Sequence, residues 1–342
     1  MPVTFGLDTF GDTTLGPDGR AKPHDAVLRD VLAEGELADR VGIDHFSVGE
    51  HHRTDFAISA PEVVLAALAS RTERITLGSA VTVLSSDDPI RVFQRFSTLA
   101  ALSNGRAEVT LGRGAFTESF PLFGYELKDY ETLFEEKLDL FVRLLRQERV
   151  TWSGTTRAPL SDQAAFPRLP EGGLPTWVGV GGSPQSILRA VSHELPVMLA
   201  IIGGSPARFA PFADLYRRAW VESGQTPQPL GVHSPGFVAR TDADARDLLW
   251  PHYRDMMNRI GRERGWSPMS RAQFDREATE GALHVGSPET VARRVAGTVR
   301  ALGLDRFDMK YSHGTLPHEA AMDSIRLYGE EVVPMVREML AG

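Results

Sequence analysis

The chain has 342 residues, 42% hydrophobic and 24% charged, with 45 acidic against 37 basic side chains, a formal charge of −8 and no cysteine. Such a chain can bury a large core; it has the wrong sign for nucleic acid and no means of forming disulfides, thiolate metal ligands or thiol nucleophiles. No charged N-terminal region precedes a long apolar run, and the longest strongly apolar stretch, 195–202, contains Pro196 and is too short for a bilayer. The expectation is a cytoplasmic protein with neither nucleic-acid nor membrane partners.

Residues 3–10 read as a first strand and 11–22 as its Gly- and Asp-rich loop. Val27, Val31, Leu32, Leu37, Ala38 and Val41 recur at helical spacing, and Gly42 closes that helix as a C-cap glycine would. A strand over 43–48 follows, then a helix over 61–70 and a strand over 75–83. Asp88-Pro89 opens the next helix with an N-cap acid and a first-turn proline; Val92, Phe93, Phe96, Leu99 and Leu102 form its inner face. Residues 106–111 read as a strand. Tyr130, Leu133, Phe134, Phe141, Leu144 and Leu145 mark a long amphipathic helix.

From 147 to 175 the pattern lapses into Pro, Gly, Ser and Thr, an excursion after which alternation resumes. Strands over 176–180 and 197–202 each lead into a helix begun by Ser-Pro, at Ser183-Pro184 and Ser205-Pro206. A strand over 230–238 and a helix near 243–259 precede a second irregular insertion, 261–286. Ser287-Pro288-Glu289 starts a helix running to Leu302, a short strand covers 307–311, and a last helix covers about 318–339. Eight strand–helix units in one series admit a closed (β/α)8 barrel or an open doubly wound sheet. The count and length favour the TIM barrel, an α/β fold of one domain over 1–342 with insertions at about 147–175 and 261–286.

In a barrel, residues just after the strands converge on one face. These are Asp8 and Thr9, Glu50 to His52, 82–88, 112–116, 181–186, Gly203 and Gly204, His233 and Ser234, and 312–315. Three uses compete for Glu50-His51-His52: metal ligation, awkward for adjacent imidazoles and unsupported by any HxH or HExxH spacing; proton exchange near neutral pH; and simple packing. Gly181-Gly182-Ser183 before a capped helix can cradle a phosphate or be only a turn. Arg113, between Gly112 and Gly114, can fork onto a phosphate or form a surface ion pair.

Taken together, the run 48–52, then 80–89, then Gly112-Arg113-Gly114 to Phe123-Gly124, then 180–186 and 285–289 resembles the luciferase-like flavin-dependent monooxygenases, over nearly the whole chain and in order. The likeness is greatest to their FMN-dependent oxidoreductase branch. The resemblance implies FMN at the C-terminal face of the strands and a homodimer, with His51 the histidine beside the flavin ring. It puts Arg113, with Gly114, Gly181, Gly182 and Ser183, at the phosphate. Ala80 and Val81 would be a strand end against the flavin, often joined by a non-proline cis peptide. It also implies oxidation of a small organic substrate by reduced flavin and O2 through a flavin peroxide, the flavin reduced by a partner reductase or NAD(P)H, and no metal. The light-emitting members carry a reactive cysteine where this chain has Gly112, which counts against bioluminescence. Rival readings are a deazaflavin-dependent hydride-transfer dehydrogenase, a non-catalytic flavin-binding protein and a metal-dependent hydrolase.

Overall fold

Parallel pairing carries the strands round in a ring. The computed structural model describes residues 2–16, 18–114 and 116–342; Ala115, within the expected mouth stretch 112–116, lies outside the described residues. In chain order the elements begin β1 (Thr4–Thr9), α1 (His24–Arg40), β2 (His45–Val48), α2 (Pro61–Ala69), β3 (Thr76–Ser79), β4 (Thr82–Val83), α3 (Pro89–Leu102) and β5 (Val109–Gly112). There follow α4 (Ser119–Phe123), α5 (Tyr130–Arg146), β6 (Val150–Trp152), β7 (Leu160–Gln163), β8 (Thr176–Val180), α6 (Pro184–Ser192), β9 (Val197–Ala200) and α7 (Ala210–Ser223). The last are β10 (Leu230–Val238), α8 (Asp242–Arg264), α9 (Arg271–Thr279), β11 (His284–Gly286), α10 (Pro288–Leu302), β12 (Arg306–Lys310), α11 (His318–Leu327) and α12 (Val333–Ala341).

The ring runs β3-β2-β1-β12-β10-β9-β8-β5 with every pair parallel. It closes through the Leu77–Ala107 bridge and the pairing of β4 with β5. This is the expected barrel. Because side chains alternate along a strand, Phe5, Leu7, Phe46, Val48, Phe307 and Met309 are buried under the helices, while the alternate positions fill the lumen. At about 1.5–3 kcal/mol for each large apolar side chain, this outer seam dominates the stability. The helices are started by local devices. Asp88 accepts from the Ile90 and Arg91 amides, and Ser183 and Ser287 cap α6 and α10 in the same way, each cap stabilising by about 1 kcal/mol.

The lumen is charged. Arg306 forks onto both Asp308 oxygens at 2.8 and 2.6 Å and onto Glu108 at 2.9 Å, with its guanidinium over the Trp177 ring. Gly6 and Gly78 leave this layer its room, since a Cβ there would lie 2.2 Å from Asp308 and 2.8 Å from Glu108. Although burial opposes it, Arg306 and His45 hold the Glu108 carboxyl down at about 2.

Four expectations need correction. The strand over 75–83 is two, β3 and β4, with the cis peptide Ala80–Val81 between them. The excursion 147–175 contains the antiparallel pair β6–β7, tied to α5 by the Trp152 indole N–H donating to Asp139 at 2.9 Å. Much of 261–286 is ordered: α8 continues to Arg264, and a reciprocal Ser270–Gln273 capping box starts α9. The last helix is interrupted by a π turn over 328–332 before Pro334, whose nitrogen cannot donate. Among the described residues no helix is long and apolar enough to cross a membrane.

Candidate active site

β2 ends at Val48, and a Cβ on Gly49 would lie 2.6 Å from the Ala80 carbonyl, so only a bare backbone passes between β2 and the Ala80–Val81 step. Glu50 then staples that step: its amide donates to the Val81 carbonyl at 3.1 Å, and its Oε2 accepts from the Val83 amide at 2.8 Å. Its other oxygen lies 2.8 Å from His52 Nε2, and the His52 ring stands edge-on to Phe123. His51 points elsewhere. Its ring is enclosed by Phe10, Phe56 and Phe116, with centroids at 4.7, 4.6 and 5.3 Å, and only 9% of the residue is exposed. Its Nδ1 is 3.8 Å from Glu118. Burial works to raise the Glu118 pKa, but the His51 contact and Arg53 outweigh it and keep this carboxyl below the usual range.

Val81 lies against two more glycines. A Cβ on Gly112 would come within 2.5 Å of Val81 Cγ2, and one on Gly179 within 2.9 Å of Cγ1. Beyond Gly112, Arg113 turns towards α6: Nη2 donates to Ser186 Oγ at 3.2 Å, Nη1 pairs with Glu131, and the guanidinium covers the Tyr130 ring at 5.0 Å. Glu131 also meets Arg189 of α6 at 3.0 Å, so one exposed carboxylate bridges two guanidinium groups. Gly114 packs on Val83, and its carbonyl accepts from the Tyr130 hydroxyl. Gly182 has φ +102°, a conformation that favours glycine, while a Cβ on Gly181 would meet nothing within 4 Å. Ser183 caps the helix that follows.

The fold therefore brings Arg113 to Ser186 in the first turn of α6, which Gly181 to Ser183 lead into, leaves Gly114 against Val83 and Tyr130, and brings Ala80 and Val81 between Glu50 and the glycines. His51 stands apart in its aromatic cage, with no hydrogen bond, ion pair or ring contact to Arg113. The donor set suits a phosphate. A guanidinium, an open glycine backbone and the positive end of a helix converge. Among the described residues no group of three or more His, Asp or Glu side chains is placed to hold a metal ion.

Sequence reasoning left several wall residues unassigned. Phe10 touches His51, Phe56 and His233 at once. His233 Nδ1 lies 2.7 Å from Asp8 Oδ2. Lys310 donates to Asp12 at 2.9 Å and lies over the Phe10 ring, and Asp12 also accepts from Ser312 and the Gly314 amide. The available signal was parity: Asp308 and Lys310 alternate with Phe307 and Met309, so the charges must share the inward face.

A model of the luciferase-like monooxygenase family matches residues 8–306. Limonene 1,2-monooxygenase of Rhodococcus erythropolis is 38% identical over 153 residues, 44% of this chain and 39% of that one. The chain spans about two fifths of the length of the curated relatives it matches first. Among solved structures, the oxygenating constituent of 3,6-diketocamphane monooxygenase of Pseudomonas putida, a type II Baeyer–Villiger enzyme in complex with FMN, aligns with a TM-score of 0.77 at 21% identity. That alignment covers 98% of this chain and 99% of the other. The coenzyme F420 dependent tetrahydromethanopterin reductase of Methanopyrus kandleri aligns with 0.74 at 17%, over 98% and 99%. At these identities both likenesses establish the fold.

Proposed function

The chain belongs to the luciferase-like monooxygenase family, and on that premise we propose that it is an FMN-dependent monooxygenase that uses reduced flavin and O2 to oxidise a small organic substrate. The observation that carries a phosphorylated cofactor is the Arg113–Ser186 bond at the N-terminus of α6. It joins a cation to a helix end and an open glycine loop at the barrel mouth, as a phosphorylated ligand requires. In this reading Arg113, Gly114, Gly181, Gly182 and Ser183 hold the phosphate, the ligand displacing Glu131 from Arg113. Ala80 and Val81 form the surface against which the ring lies. When bound, reduced flavin supplies two of the electrons that reduce O2. His51 exchanges a proton at Nδ1 or Nε2, and Phe10, Phe56 and Phe116 keep water from it. A homodimer, and a partner reductase or NAD(P)H as the source of reduced flavin, belong to the same reading.

The second reading, hydride transfer with F420, a deazaflavin, has the support of a structural neighbour of nearly equal TM-score. Both cofactors present a phosphate to the same loop, so titration decides. Binding of FMN, followed by flavin fluorescence, is expected to saturate at lower concentration than binding of F420. Reduced FMN with isotope-labelled O2 and a panel of terpenes and ketones is expected to give a labelled product. Tighter binding of F420, with no label incorporated, sinks the FMN reading. Arg113→Ala removes a charge-assisted contact worth about 1.5–3 kcal/mol, so the Kd for FMN should rise roughly tenfold to a hundredfold; an unchanged Kd takes Arg113 out of the site.

A further inference from the structure

A second imidazole lies against Phe10. His233 lies on β10 and reaches past β12 to Asp8 on β1, its Nδ1 2.7 Å from Asp8 Oδ2. Asp8 is fully buried and its other oxygen has no partner among the described residues. A carboxylate so enclosed needs a cation.

The charges of the lumen allow one candidate. Asp8, Asp12, Glu108 and Asp308 face two permanent cations. Lys310 is occupied by Asp12 and Ser312, and Arg306 by Glu108 and Asp308. Among the described residues, the basic side chain hydrogen-bonded to Asp8 is His233, while His45 faces Glu108 at 3.5 Å. Burial works against a charged ring there, but the Asp8 charge and hydrogen bond outweigh it and raise the His233 pKa. Lys310 and Asp308 of β12 face the same ring with opposite signs, and His313 beyond them is neutral, its pKa pushed down to about 3 by burial and Lys310.

Nε2 of His233 makes no hydrogen bond to any described residue, and 11% of the side chain remains exposed. The ring stacks on Phe10 with an interplanar angle of 17° at 6.1 Å, and the same Phe10 touches His51 at 4.7 Å. One phenyl ring thus touches two imidazoles, one edge-on and one stacked, and the two differ. His233 is held tightly by a buried carboxylate, whereas His51 has Glu118 only at 3.8 Å.

We propose that the Asp8–His233 pair is a second catalytic acid of this pocket, donating its Nε2 proton to the oxygen atom that is not inserted into the organic substrate and leaves as water. The step rests on the monooxygenase reading. Two electrons from reduced flavin and two from the substrate reduce O2, one oxygen bonds to the substrate and the other departs as H2O. The two hydrogens given up by reduced flavin balance that water, so His233 ends the cycle protonated as it began. Without organic substrate, O2 leaves as hydrogen peroxide, whose release draws on the same proton.

Nitrogen NMR of the isotope-labelled histidine rings tests the pair without turnover. His233 should carry both ring protons to a pH above the ordinary imidazole range, and Asp8→Asn should lower its midpoint. A His233 ring that is singly protonated at neutral pH overturns the proposal. The FMN-loaded protein is then reduced and mixed with O2, and the return of oxidised-flavin absorbance is followed across pH. The wild-type rate should fall as pH rises through the His233 midpoint. His233→Gln, which keeps a donor but cannot release a proton, should be about a hundredfold slower and flat over that range, with the same FMN affinity. A wild-type profile in His233→Gln with FMN bound sinks this inference alone. Failure of the wild type to bind FMN sinks the flavin reading and with it this step, whatever the titration gives. If His233→Gln does not fold, Asp8→Asn decides, its profile having to move down in pH with the NMR midpoint.

Discussion

His51 and His52 are neighbours in sequence, yet their environments differ. His52 is tied to Glu50 and leans on Phe123, so it belongs to the staple that holds Val83. His51 enters a cage of three phenyl rings, with Glu118 3.8 Å from its Nδ1. Adjacent side chains leaving the end of a strand diverge, which is why one is structural and the other available. Replacing His51 by Ala is expected to lower turnover with reduced flavin and O2 about a hundredfold or more, with FMN binding intact. Steady-state oxygen uptake beside a flavin titration checks this, and unchanged uptake removes His51 from the chemistry.

Among the elements, the strand ends decide the shape of the pocket through what they lack. Gly49, Gly112 and Gly179 give room to the Ala80–Val81 step from three strands, whereas Gly181 faces open space. These two kinds of glycine should respond oppositely to a methyl group. Gly112→Ala forces its Cβ against Val81 and should destabilise the fold by about 1–3 kcal/mol, seen as a lower denaturant midpoint. Gly181→Ala should leave that midpoint unchanged and weaken FMN binding, because the methyl group occupies backbone a phosphate needs to approach. Equal loss of stability in both variants contradicts the assignment. The insertion also has a fixed course. At the end of α8, Arg259 meets Asp55 and Glu263 meets Arg53, pinning the helix to the loop after β2.

For the whole molecule, burial of titratable groups sets the response to acid. His284, enclosed near Arg294, and His313, near Lys310, have pKa values pushed down to about 3, burial being the largest cause for each. The folded protein keeps both rings neutral between about pH 3 and the ordinary 6.5, where the unfolded chain binds a proton on each. Stability must therefore fall as pH drops through that window, by roughly 1 kcal/mol per pH unit for each ring. Glu108, depressed to about 2 beside Arg306, adds a second loss below its ordinary 4.5, because the unfolded carboxylate takes up a proton first. Urea midpoints measured from pH 7 to pH 4 should decline steadily, and His284→Gln should flatten part of the slope. A constant midpoint across that range would mean that water reaches both rings.

Local chemistry alone carried much of the design. Helical spacing, Ser-Pro and Asp-Pro starts and the eight alternating units specified the strand–helix series and favoured the barrel, because each signal is a property of neighbouring residues. The positions of His51, Arg113 and Gly181 to Ser183 at strand ends followed from the same alternation. The hairpin in 147–175 and the helix over 271–279 escaped because short elements with few buried residues leave no period to read, although Ser270 and Gln273 stood at capping-box spacing. The bond from Arg113 to Ser186, the pairing of Asp8 with His233 across β12, and the sharing of Phe10 by two imidazoles could come only from ring closure. Pairing of strands far apart in the chain is fixed by the tertiary fold, and charges separated by two hundred residues find their partners only when the last strand meets the first.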